Sequence, residues 1–193
     1  MSNVFTMEAA NLFCGDHDRA VSNHLRLMGL KLPGLEENMV DWNPGGAPIA
    51  SEVETGITKL ESTFNLAGWQ PEVMKLIGSS RRERQVFTAY GVIRDRRSGQ
   101  ALEAMCVMQA RLGRVNPTEF RRGDLQSHEY SIRGIVHYEL FLEKDEIYYW
   151  DMFTNEFRIG GEDINYDTNR ILRVPTSGDV VSGATNNSAT IDT

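Results

Sequence analysis

From Glu129 to Leu142 the chain reads EYSIRGIVHYELFL, and its even positions hold Tyr130, Ile132, Gly134, Val136, Tyr138, Leu140 and Leu142. The odd positions include Glu129, Ser131, Arg133, His137 and Glu139. A two-residue period sustained over 14 positions predicts one long strand, because successive strand side chains point to opposite faces. One face lies on a core and the other is wet. Six apolar side chains, at roughly 1.5–3 kcal/mol each when fully buried, stabilise such a strand only if other elements cover them. The rest of the chain must supply that cover.

Most of it reads as further strands. Gln85 to Arg94 and Ala101 to Leu112 form the strongest hairpin signal, with Arg96-Arg97-Ser98-Gly99 as the turn. Asn3 to Phe13 and His24 to Leu32 look like a second hairpin with a longer loop, with Ala9 and Ala10 leaving a helical alternative for its first arm. Ile57 to Leu66, Ile147 to Phe153 and Phe157 to Ile159 are shorter strand candidates. One short helix is expected after Gly68, led by Pro71, ended by Gly78, and carrying Trp69, Val73, Leu76 and Ile77 on one stripe. The expected class is all-β with one short helix. At 193 residues, 40% hydrophobic and 24% charged, the chain suits one domain, assigned to residues 1–174 with a polar tail at 175–193. It has no secretory core and no apolar run long enough to cross a membrane, so folding in the cytoplasm is expected.

Leu35 to Gly56 keeps no period of either kind. It holds Pro44, Gly45, Gly46 and Pro48 beside Met39, Val40, Trp42 and Ile49. Long loops in compact domains tend to be functional, and these apolar side chains predict one that orders by docking, a second subunit being a candidate. Charge is also segregated. Lys and Arg number 5 against 10 Asp and Glu up to Ser80, 10 against 4 from Arg81 to Arg122, and 5 against 13 thereafter. A basic middle between acidic ends suits nucleic acid, or pairing with acidic parts of itself or of another copy, and the pI near 5.1 favours the second.

Chemistry is sparse. No nucleophile elbow, glycine-rich phosphate loop or zinc-protease motif occurs, and nothing calls for a cofactor. Asp16-His17-Asp18 lacks a second ligand cluster. Asp163, Asn165, Asp167 and Asn169 imitate calcium-loop spacing, but Thr168 and Val174 stand where glycine and glutamate belong. His137, on the wet face near Glu139 and Arg133, is the best catalytic candidate by position, and no nucleophile accompanies it. Cys14 and Cys106 have no metal-ligand spacing and read first as small buried hydrophobes.

From about Asn11 to Val174 the chain resembles the major tail-tube proteins of contractile-tailed bacteriophages, a fold shared with tubes of phage-like bacteriocins and type VI secretion. NLFCGD, KLPGLEENMVDWNPGGAPI, ITKLESTFNLAGW, the hairpin YGVIRDRRSGQALEAMCVMQARL and the strand ending YELFLEKDE carry the likeness. It implies a β-barrel or sandwich subunit in hexameric rings, stacked into a hollow tube within a sheath. It also implies baseplate and terminator proteins as partners, and a lumen holding a tape measure protein and then DNA. Expected lumen residues are Glu103, Gln109, Arg111, Glu129, Arg133 and Glu139; Met39, Trp42 and Ile49 would anchor the next ring. Cys14 and Cys106 would link subunits after release if they lie on facing surfaces. A bacteriocin or secretion tube, and a monomeric ligand-binding barrel, are the alternative readings.

Overall fold

The computed structural model describes residues 3–15, 22–43, 45–46, 48–78 and 83–174. The tail from 175 and the Asp16-His17-Asp18 triplet lie outside them. The long strand β8 (Ser127–Leu142) is central. Along one edge it pairs antiparallel with β7 (Ala101–Asn116), which pairs with β6 (Gln85–Asp95), which pairs with β1 (Phe5–Cys14). The other edge is divided. Its first half pairs with β5 (Ser62–Ala67) and its second with β9 (Asp145–Asp151). β5 carries β2 (Leu27–Lys31), and β9 carries β10 (Glu156–Ile159) and the short β11 (Glu162–Asp163). β1 and β2 touch without a ladder and close an incomplete six-strand barrel.

The change of partner along β8 has a local cause. Between Gln109 and Arg111 of β7, opposite His137 and Arg133, β8 contains two extra residues. Gly134 sits there with φ of 59°. A bulge of two residues keeps the side-chain parity, so Tyr130, Ile132 and Tyr138 still share the core face. They pack with Leu12, Phe64, Leu66, Phe87 and Met108, each 1% exposed or less.

The β6–β7 hairpin forms as expected. Asp95 organises its turn, accepting from the Arg97 N–H at 2.8 Å and the Ser98 hydroxyl at 2.8 Å. Gly99 takes φ of 74°, which glycine allows at no steric cost. The first expected hairpin does not form. Both of its strands exist, but β1 joins β6 and β2 joins β5. Leu12 and Cys14 find apolar neighbours on β6, and Asn23 ties the segments by donating to the Leu12 carbonyl at 2.9 Å.

Helix α1 (Pro71–Met74) is shorter than its apolar stripe implied. Val73 is buried, whereas Trp69 stays outside the helix and is 62% exposed. A second helix, α2 (Tyr166–Leu172), begins at Asn165 within the calcium-like spacing. Asp163 accepts from the Asn165 N–H at 2.9 Å, and buried Asn169 bonds Asn155, so these side chains build the helix entrance. No described helix is long and apolar enough to cross a membrane.

Candidate functional site

Two surfaces stand out, an arm and the partly covered sheet face turned away from the core. The segment expected to be an irregular loop is a hairpin, β3 (Glu37–Trp42) with β4 (Ser51–Ile57), forming a sheet of its own. Every residue of both strands is exposed. The alternation that betrays other strands is missing because neither face of this hairpin is covered. Its base is tied by the Thr58 N–H to the Glu36 carbonyl at 2.8 Å, and farther out Asn38 donates to the Thr55 hydroxyl at 2.8 Å.

Cross-strand partners divide the arm chemically. Val40 opposes Val53 and Trp42 opposes Ser51 on one face; Asp41 opposes Glu52 and Met39 opposes Glu54 on the other. Trp42 is 57% exposed and Ile49, in the connecting turn, is 79% exposed. Residues 36–57 contain five acidic side chains and no Lys or Arg. An isolated two-stranded sheet is marginal in water, and carboxylates directly opposed across it cost more. The arm thus presents uncovered apolar and acidic surface. At its base a cleft of about 400 Å³ opens between Ile57, Leu60, Trp150 and Phe157.

The second surface is the face of β6–β10 turned away from the core. Val86, Gln109, His137, Asp151 and Glu156 form one row across the strands; Thr88, Val107, Glu139, Tyr149 and Arg158 form the next. Both ring nitrogens of His137 meet carboxylates, Nδ1 at 2.9 Å from Asp151 and Nε2 at 2.9 Å from Glu139. Burial pulls the Asp151 carboxyl up, but the Thr154 and Phe153 N–H groups and His137 outweigh it and hold the group low. Arg158 lies 3.5 Å from the Tyr149 ring centroid, grips Glu146 with two hydrogen bonds of 2.9 Å, and reaches Glu156 at 2.9 Å. This tethered network leaves the face acidic on balance. Its β9 and β10 members are missing from the expected set because IYYWD is apolar at both parities, which hides its outer face.

The Arg158 pairing holds the Glu146 carboxyl below its usual range. A depressed carboxylate contributes stability above its unfolded pKa and loses it as pH falls through the folded one. Arg158→Met is therefore expected to be less stable than the parent above about pH 5, the difference shrinking as pH falls through the carboxylate range. Circular dichroism against pH checks this.

Of the expected lumen residues, Glu103, Gln109 and Arg111 of β7 and Arg133 and Glu139 of β8 share the outer face. Arg133 faces Arg111 and is held by Glu61 at 2.8 Å. Glu129 lies further along β8 beside Asn116. The two cysteines sit as the small hydrophobes of their first reading. Cys106 is 2% exposed in the core and Cys14 packs against the same cluster, because both occupy inward-facing positions. Cys14 is partly buried and Cys106 fully so. Burial pushes both thiols up to about 12, so a thiol reagent at pH 8 is expected to label neither until the chain unfolds. Prompt labelling of native protein would contradict the packing.

The described residues thus form an antiparallel barrel with an acid-rich outer face and an uncovered arm. The chain belongs to the phage tail tube protein FII family, whose model matches residues 9–172. No curated protein sequence matches it. Among solved structures it is similar to a chain of the PVC sheath-tube complex of an extracellular contractile injection system, in the extended state. The two are 8% identical, covering 69% of this chain and 88% of that chain, with a TM-score of 0.49. It is similar also to Hcp1 from Salmonella typhimurium, at 12% identity, 78% and 100% coverage and a TM-score of 0.43. A chain of the anti-feeding prophage baseplate is 13% identical, with 73% and 94% coverage and a TM-score of 0.41.

Proposed function

We propose that this tail tube subunit polymerises as hexameric rings stacked head to tail into the inner tube of a contractile phage tail, and that the tube conducts DNA at ejection. The observation that carries the reading is the arm, a hairpin with apolar side chains on an uncovered face and no core of its own. Met39, Trp42 and Ile49 anchor it on the adjacent ring. A contact between unlike surfaces does not close on itself and so builds a filament. The role is structural, with sheath outside, baseplate and terminator at the ends, and tape measure protein then DNA inside.

The outer face of β6–β10 lines the lumen. Its carboxylates repel phosphate, while the ion pairs hold Arg158 from binding it, so DNA slides without being retained. Negative-stain images of the purified chain at rising concentration should show hollow filaments with six-fold end views; solid or sheet-like aggregates count against the reading. In particles, Glu103→Lys with Glu139→Lys is expected to slow DNA ejection while tube morphology is kept. Unchanged ejection from such particles removes this face from the lumen.

A further inference from the structure

The arm leaves the barrel where β2 and β5 end, at Lys31 and Ser62. The other end of β5, roughly 20 Å away at about 3.3 Å per residue, carries a second exposed cluster. There the Gly68 N–H donates to the Gln126 carbonyl at 2.8 Å, and the Thr118 N–H to His128 Nδ1 at 3.2 Å. These bonds bring the β7–β8 loop against the turn before α1. Trp69 lies with its ring 4.9 Å from that of His128 and stays 62% exposed. Phe120 and Leu125, on the same loop, are 75% and 72% exposed. The two described segments that meet at this end, residues 68–78 and 111–126, contain 5 Lys and Arg against 3 Asp and Glu.

One end of the barrel is thus apolar and basic, and the arm at the other is apolar and acidic. We infer that the Trp69, Phe120 and Leu125 cluster, with Arg121 and Arg122, is the surface on a second copy of this chain that receives the arm. The inference rests on the reading of the arm as the stacking element and adds its receptor. Arginines brought to the acidic face relieve the cost of placing Asp41 opposite Glu52. In the lone subunit Arg121 is held by Glu119 at 3.2 Å, with both side chains more than 70% exposed, and such a pair is weak enough to exchange. Because giver and receiver sit at opposite ends of β5, repetition gives a polar filament, and charge fixes its direction.

The test is a charge swap. The variants are Glu52→Lys with Glu54→Lys on the arm, and Arg121→Glu with Arg122→Glu on the receiving end. Thermal melts matching the parent establish that both remain folded, since all four residues are exposed. Each variant alone is expected to need at least about tenfold more protein to polymerise, the size of effect that reversed interface charges produce. A mixture of the two should polymerise near the parent concentration, because each then offers what the other lacks. If only the arm variant is impaired, the receiving surface is wrong and the arm reading stands. If neither is impaired, both fail. If both are impaired and the mixture is not rescued, the two surfaces do not meet and the inference is overturned.

Discussion

Replacing residues 38–56 with a short Gly-Ser turn is expected to abolish polymerisation and leave a folded protomer. No residue of either arm strand is buried, and none belongs to the core cluster. Thermal stability should stay within about 3 °C of the parent, a change below roughly 1 kcal/mol in a domain of this size. Sedimentation velocity should show a single slow species at concentrations where the parent pellets. Trp42→Ala alone removes a central aromatic anchor, and such residues contribute about 2 kcal/mol or more at a contact. Every copy in a filament loses it, so the critical concentration should rise about thirtyfold. If the shortened chain still forms filaments, stacking is carried elsewhere.

The second large effect lies in the core. Phe64 and Tyr130 stack with ring centroids 5.0 Å apart and planes 9° from parallel, neither more than 1% exposed. They join β5 to β8 between the arm and the proposed receiving end. Phe64→Ala is expected to cost about 3–5 kcal/mol, a large share of the 5–15 kcal/mol typical of a domain. Its melting temperature should fall by about 10 °C. Tyr130→Phe should behave differently. Among the described residues the Tyr130 hydroxyl has no hydrogen-bond partner, and burial pushes its pKa up. Removing an unsatisfied buried hydroxyl is neutral or stabilising by about 1 kcal/mol. A large loss in Tyr130→Phe would mean the hydroxyl has a partner, such as bound water.

Local features were legible in the sequence to the extent that one face of a strand is buried. Alternation from Leu102 to Leu112 located β7 because Cys106, Met108, Ala110 and Leu112 are in the core, and Arg96-Arg97-Ser98-Gly99 marked its turn. Gly134 did not announce a bulge because two extra residues leave the parity unchanged. The pairing of β1 with β6 joins residues some eighty positions apart, which local pattern does not encode. In the arm, Trp42 and Ile49 stood out as apolar side chains in a segment without period and are exposed, yet its strands were not recognisable, because pattern reports burial and the arm has none in the lone subunit. The acidic face was half visible: Glu139 and His137 stand out on β8, whereas Asp151, Glu156 and Arg158 join them only through tertiary pairing.

The subunit is proposed to form a tube through its arm, with the outer face of β6–β10 towards the lumen. A cryo-electron microscopy reconstruction of the polymer formed by the purified protein tests it most directly. The expected map is a hollow tube of six-fold rings, with Glu139 and Asp151 facing the channel and each arm reaching the next ring. A chain that remains a 21.8 kDa monomer at every concentration, or a tube whose arms project free while the core-distal face of β8 turns outward, would contradict it.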